Sequence, residues 1–288
     1  MKKVKINEVK REERLAVLKR IEENEKLGGD AFNQDVEIDP PYTTLMPNDV
    51  DYEFKKFSTK IKRFFANIIA KIGAKKVVKD FNVTVIGAEN LAKVFGGAIV
   101  TANHFSIFEN VAVWQAVLKA KRKGKFYRVI REGNYFMPGV IGFLLKYADT
   151  LPISSNLKTM MNLSRAIDKY LKNGDTVLVY PEKALWWNYK KPRPFLDGAF
   201  KYAVKAGVPV VPVCTTIEDL DEIDETGFSK KKYIVHVLPP IYKDENLSDK
   251  ENAIFMRDKN FEMVKEKYEE FYKIPLKYGE DKTEEKTV

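Results

Sequence analysis

The chain has one cysteine, Cys214, which excludes an intrachain disulfide. It has two histidines, His104 and His236, so any imidazole chemistry must use one of them, and a Cys/His zinc site is not expected. No run of about 18 uninterrupted apolar residues occurs, so no membrane-spanning helix is expected. The opening MKKVKINEVKREERL has no apolar core of a secretory signal. The expected location is therefore the cytoplasm, at most peripherally on the inner face of the cell membrane. Gly 15 and Pro 13 are ordinary counts, which excludes collagen-like and low-complexity chains. Three standard signatures are missing: G-x-G-x-x-G, G-x-x-x-x-G-K-[ST] and G-x-S-x-G. Nicotinamide binding, P-loop phosphoryl transfer and α/β-hydrolase chemistry lose their usual supports.

Among the 288 residues, 44% are hydrophobic and 12% aromatic, enough for a sizeable core and against global disorder. At ~150 residues per domain the length allows one large or two small domains. Fifty Lys and Arg against 41 Asp and Glu leave +9, which favours anionic partners: nucleic acid, anionic lipid or phosphorylated substrates.

The chain divides into three parts. Residues 1–80 read as a helical arm followed by a basic amphipathic helix, residues 81–275 as an α/β domain, and residues 276–288 as a charged, disordered tail. Within the first part, residues 1–27 are charge-dense with helical patterning and end at Gly28-Gly29. Residues 30–53 are acidic, carry Pro40, Pro41 and Pro47, and read as an irregular linker or arm.

Residues 54–79 reverse the charge: nine Lys and Arg and no acid, as many as the excess of the whole chain. Phe57, Ile61, Phe64, Phe65, Ile68, Ile69 and Ile72 recur at helical spacing on an arc of about 140° at 100° per residue. Basic flanks beside a Phe/Ile face fit a helix lying in an anionic leaflet. The same spacing also fits a helix that packs this face on the protein and leaves its lysines in water.

From residue 81 onwards, strand-like and helix-like runs alternate. Strands are expected at 82–86, 97–102, 126–130, 150–153, 176–180, 208–215 and 233–238. Helices are expected at 107–121, 135–147, 157–172, 198–206 and 251–272. Such alternation predicts an α/β fold with a largely parallel sheet flanked by helices.

In parallel α/β sheets, ligands collect at the carboxyl ends of strands. His104 lies there, just after GAIVTAN, and Glu109 opens the next helix. A carboxylate on one imidazole nitrogen fixes the tautomer and raises the basicity of the other. Taken alone, the pair is also consistent with a helix cap. Glu182 likewise ends a strand, before a basic and aromatic loop. Lys183, Lys190, Lys191 and Arg193 make that loop a cationic rim suited to phosphate. Trp186, Trp187 and Tyr189 fit either a lipid-facing entrance or packing beneath the loop. His236, in the alternating YIVHVLPP, reads as a satisfied strand histidine.

Four blocks in order resemble the PlsC-like glycerolipid acyltransferases across residues 97–213. Asn103-His104 with Glu109 is similar to N-H-x4-D, with Glu for Asp. Arg131, Pro138 and Gly142 resemble K-x-E-L-x-x-x-P-x-x-G, with one extra residue before Gly142. Tyr180-Pro181-Glu182 is similar to F-P-E-G-T-R, and Pro194-Phe195 with Gly198-Ala199-Phe200 follows as in the family. Val208-Pro209-Val210-Val211-Pro212-Val213 resembles V-P-I-I-P-V. Two departures fall on phosphate contacts. Lys183-Ala184-Leu185 replaces G-T-R, and Ser154 or Ser155 stands where the family has a basic residue.

The resemblance implies a glycerol-3-phosphate acyltransferase-like fold and an acyltransferase of phospholipid biosynthesis. It would move a fatty acyl group from acyl-CoA or acyl-carrier protein to a lysophospholipid hydroxyl, 1-acyl-glycerol-3-phosphate first. His104 and Glu109 would be catalytic, and Arg131, Glu182, Lys183 and Arg193 would bind substrate, with Glu182 orienting the loop and the acceptor. No metal and no cofactor are implied beyond the acyl co-substrate. The expected partners are the lysophospholipid, the acyl donor, an acyl-carrier protein, and an anionic membrane surface through residues 54–79, but no nucleic acid. A different lipid acceptor, or a non-catalytic protein that binds lipid or nucleic acid, remains the alternative.

Overall fold

β-branched runs separated by helices place seven strands in one sheet, in the order β1-β7-β6-β2-β5-β3-β4. The strands are β1 (Thr84–Ile86), β2 (Ala98–Ala102), β3 (Phe126–Ile130), β4 (Thr150–Pro152), β5 (Thr176–Val179), β6 (Val210–Ile223) and β7 (Ser229–Val237). Every neighbouring pair is parallel except β6 and β7. This is a computed structural model that describes residues 2–38 and 41–279, with backbone alone for residues 2–7.

The helices are α1 (Lys2–Leu27), α2 (Phe57–Asp80), α3 (Ala88–Ala92), α4 (Glu109–Lys119), α5 (Gly139–Tyr147), α6 (Leu157–Lys172), α7 (Gly198–Ala206) and α8 (Asp249–Tyr272). They cover both faces of the sheet. Successive strand residues point to opposite sides, so Ile99 joins one core and Val100 the other. Ile99, Val177 and Val210 pack with α6, α7 and α8 through Leu163, Ala203 and Met256. Val100, Leu178 and Val211 pack with α3 and α4 through Leu91, Val113 and Ala116. A Ser248–Glu251 capping box starts α8.

β6 is longer than the expected 208–215, and β7 starts earlier than 233. The acidic half of β6 falls outside the strands expected from the sequence. It is held as strand by cross-strand ion pairs of Glu218 with Lys232, Asp219 with Lys231 and Glu222 with Lys230.

After a short 3-10 turn (Gly29–Asn33), residues 34–38 and 41–54 run irregularly across the body, and both stretches bury side chains. Phe32 and Val36 form a third core with Val17 and Ile21 of α1 and with Trp186. Leu45, Tyr52 and Phe54 are buried as well. The Tyr52 hydroxyl donates to the Pro152 carbonyl at 2.7 Å. Trp186 is fully buried and donates from its indole N–H to the Gln34 carbonyl at 3.0 Å. Trp187 packs edge-on against Phe228, and Tyr189 against Trp186. These rings therefore pack beneath the loop rather than rim a lipid entrance. The tail expected to be disordered from 276 is ordered through Gly279, where the Tyr278 hydroxyl donates to the Pro192 carbonyl at 2.6 Å. The rest of that tail, 280–288, lies outside the described residues.

α2 turns its small-residue face inward, burying Ala66 and Ala74. Arg63 also points in, ion-paired with Asp149 and donating to the Tyr127 hydroxyl at 3.1 Å. The seven Phe and Ile residues of the arc are all exposed, Phe57 at 78% and Phe64 at 63%. The apolar face does not pack on the protein.

Gly97, which leads into β2, has no room for a side chain: a Cβ there would meet the Leu171 carbonyl oxygen at 2.1 Å. G97A should destabilise the protein by about 2–3 kcal/mol, as other overpacking substitutions do, read as a lowered urea midpoint at unchanged m-value.

Candidate active site

β2 ends at Ala102, and the next two residues are fixed by side-chain bonds. The Asn103 amide donates to the Thr215 carbonyl at 2.9 Å and accepts from the Thr215 N–H at 2.8 Å. It thus extends the β2–β6 pairing past the strand and sets where the chain turns. Five residues after His104, α4 opens with Glu109, where a carboxylate is favoured by the helix N-terminus.

The turn brings the two predicted catalytic side chains together. His104 Nδ1 lies 2.5 Å from Glu109 Oε1. Glu109 is 1% exposed and His104 19%. The carboxylate accepts the Nδ1 proton, which leaves the lone pair on Nε2. No protein group bonds Nε2 among the described residues. The imidazole stacks on the Tyr180 ring, centroids 3.9 Å apart and planes 12° apart.

The backbone of His104 is held from β5's end. The Glu182 carboxylate accepts the His104 N–H at 3.0 Å, the Arg193 N–H at 3.0 Å and an Arg193 guanidinium N–H at 2.9 Å. Arg193 is wholly buried. Its guanidinium also donates to the carbonyls of Phe32 at 2.9 Å, His104 at 3.3 Å and Ala184, and stacks over Trp186.

This corrects two expected substrate contacts. Arg193 is not part of a cationic rim, because it is consumed inside the protein. Glu182, 2% exposed, orients the loop and the His104 backbone and does not reach an acceptor. The rim shrinks further, because Lys190 pairs with Asp219 at 2.6 Å and Lys191 with Glu25 at 2.5 Å. Lys183 stays exposed, on a positive-φ residue.

Arg131 follows β3, and Asp35 of the N-terminal stretch pairs with it at 3.3 Å. Beside it is a residue the motifs did not single out. Buried Glu132 accepts from Leu45 N–H at 2.7 Å, Ser154 Oγ at 2.7 Å and Ser155 N–H at 3.1 Å. Burial pushes this carboxyl up, but the three donors outweigh it and hold it below its ordinary value. Ser154 and Ser155, where the family carries a basic residue, thus serve a carboxylate. The available signal was an acid just past a strand end, the same position as Glu182. His236 is buried in β7 with Nε2 3.0 Å from Thr216 Oγ1, and burial lowers its pKa. It is a satisfied strand histidine, as expected. No group of three or more His, Cys, Asp or Glu could hold a metal among the described residues.

Fold and site define an α/β protein with a largely parallel sheet and a carboxylate-held imidazole at a strand's carboxyl end. The Acyltransferase family model matches residues 82–216. A chloroplastic 1-acyl-sn-glycerol-3-phosphate acyltransferase of Brassica napus is 28% identical over 172 residues, 58% of this chain and 46% of the relative. The 1-acyl-sn-glycerol-3-phosphate acyltransferase of Escherichia coli is 26% identical over 152 residues, 52% of this chain and 59% of the relative. The chain thus spans about half the length of the curated relatives it matches. The crystal structure of the 1-acyl-sn-glycerophosphate acyltransferase PlsC from Thermotoga maritima is similar, with TM-score 0.53 and 25% identity. That match covers 78% of this chain and 87% of that one.

R193M strands the Glu182 carboxylate without its cation. It should cost about 3–5 kcal/mol of stability, whereas K190Q, at a surface pair, should cost under about 1 kcal/mol. Equal midpoints for both variants in thermal unfolding would contradict the clamp.

Proposed function

We propose that the protein is an acyltransferase that moves a fatty acyl group from acyl-CoA or acyl-carrier protein to a lysophospholipid hydroxyl. The observation that carries this reading is the His104–Glu109 pair, formed within the stretch that the family model matches. The acceptor named in the relatives, 1-acyl-sn-glycerol-3-phosphate, leads the reading for this chain, with exposed Lys183 as a cation for its phosphate and Arg131, already paired with Asp35, able to serve only by exchanging that partner.

A lipid hydroxyl is a poor nucleophile at neutral pH. His104 Nε2 takes its proton as the oxygen attacks the thioester carbonyl carbon, and Glu109 stabilises the resulting imidazolium. The carbonyl π pair moves onto oxygen and then returns as the C–S bond breaks. The departing thiolate takes the proton from Nε2. One ester and one thiol result, with no covalent enzyme intermediate and no metal or cofactor required.

Both substrates are amphiphiles, so the reading includes reversible binding to an anionic membrane surface, on the inner face of the cell membrane. No helix among the described residues is long and apolar enough to cross a membrane. The outward Phe/Ile face of α2 supports peripheral binding. Ile107, close after His104, and Val140 and Ile141 of α5, the helix beside α2, are exposed as well. Of the nine cations in 54–79, Arg63, Lys55 and Lys76 are held in ion pairs, which leaves six. At ~1 kcal/mol each, halved for geometry and screening, they supply about 3 kcal/mol.

H104A should stay folded and lose about 10²–10⁴-fold in kcat/KM when lysophospholipids, 1-acyl-sn-glycerol-3-phosphate included, are assayed with both donors. E109Q should lose less. A folded H104A with wild-type turnover would exclude the mechanism. In vesicle flotation the protein should bind anionic bilayers and release at high salt. Replacing Lys60, Lys71 and Lys75 with Gln should weaken that binding, and so should replacing Phe64 and Phe65 with Ser. Equal flotation on zwitterionic vesicles would argue against the electrostatic part.

A further inference from the structure

Two buried polar atoms next to the proposed base have no ordinary hydrogen bond among the described residues: Glu109 Oε2 and the Tyr180 hydroxyl. One can only accept and the other can donate. Orphans of this kind are rare in protein interiors and call for an explanation. The Tyr180 ring is already stacked on His104, 3.9 Å away and nearly parallel to it. Oε1 of the same carboxylate holds Nδ1 of the same imidazole.

We propose that Tyr180 is a positioning residue for the base: its ring sets the plane of the His104 imidazole, and its hydroxyl engages the second oxygen of Glu109. The catalytic meaning of this contact rests on the acyl-transfer reading, whereas the contact itself does not. Glutamate's extra methylene relative to aspartate lets one carboxylate serve both the imidazole and the hydroxyl. Burial, and then the neighbouring Glu109 carboxylate, push the Tyr180 hydroxyl well above its ordinary range, so it is a protonated donor throughout the working pH range.

A donor on Oε2 draws charge from the carboxylate and so reduces the basicity that Glu109 confers on His104. Without that donor, the pair takes up its proton at higher pH. The other groups that bear on the cluster stay in place: Arg128 of β3 acts on the Tyr180 hydroxyl, Tyr233 of β7 lies near Ser106 and Glu109, and Glu182 binds the His104 backbone. Y180F keeps the ring stack and removes only the donor.

The chain's two histidines make the test direct. Imidazole resonances of the full-length protein, assigned with H236Q, are titrated in wild type, Y180F, E109D and the double variant. Y180F should raise the His104 midpoint by roughly half a pH unit or more and leave His236 unmoved. The acid limb of kcat/KM should move the same way with little change in KM. In the E109D background the Y180F shift should shrink to less than half, because the shorter carboxylate cannot serve both partners; this non-additivity is the signature of contact. A folded Y180F with an unmoved His104, or equal shifts in both backgrounds, would overturn the proposal. If Y180F does not fold, a slowly exchanging tyrosine hydroxyl proton, present in wild type and lost in E109Q, supports the contact, and its absence from wild type overturns it. A His104 shift in a protein that transfers no acyl group to any lysophospholipid would overturn the functional reading and leave the contact standing.

Discussion

The buried ion pair between Glu182 and Arg193 fixes the parts of the site relative to one another. Burying two charges is costly unless the surroundings satisfy both. Here the carboxylate collects three N–H groups, and the guanidinium reaches three carbonyls besides the carboxylate. Those bonds tie three distant segments together: the turn holding His104, the loop after β5, and Phe32 of the N-terminal stretch. The pair therefore contributes geometry more than net stability. The His104 backbone is held at both its N–H and its carbonyl, so the imidazole starts from a fixed point.

The N-terminal segment is consequently part of the site's construction. Phe32 and Gln34 offer carbonyls to Arg193 and Trp186, Asp35 neutralises Arg131, and Leu45 gives an N–H to Glu132. Two strand-end carboxylates, Glu182 and Glu132, thus play parallel roles. Each gathers backbone donors from a segment remote in sequence and pins it over the carboxyl ends of the strands. The interior of the sheet supplies rigidity, and these two acids convert it into placement of the covering segments.

Much of this was legible in the sequence, for reasons that also explain the rest. Alternating β-branched runs identified the parallel strands, because burial on both faces leaves little freedom in composition. The His104–Glu109 contact was readable because a strand-to-helix turn is short and both residues lie in it. Arg193 was misread because a cation beside three lysines looks solvated; only tertiary packing under Trp186 shows otherwise. The acidic end of β6 was missed because its strand character depends on lysines of β7, a partner that local periodicity does not reveal. The orientation of α2 was written in the sequence on its less conspicuous side. Ala66, Ala70 and Ala74, four residues apart, form the stripe on which a helix can approach a protein surface closely. The larger Phe/Ile arc drew the attention, and it is the alanine stripe that packs.

Charge adds a last constraint. Counting residues assigns nine cations to 54–79, equal to the excess of the whole chain. The structure removes three of them into ion pairs and turns Arg63 inward, where Asp149, Tyr127 and the Phe54 ring surround it. Elsewhere, Lys190, Lys191 and Lys230 to Lys232 are matched by acids. α2 thus carries lysines outside any ion pair among the described residues, beside its outward phenylalanines and isoleucines. Six partly screened lysines alone would give only weak attachment to an anionic surface, about 3 kcal/mol. On the proposed peripheral reading, stable residence at a membrane would come from apolar insertion at ~25 cal/mol per Å², with the lysines selecting an anionic surface rather than providing most of the affinity.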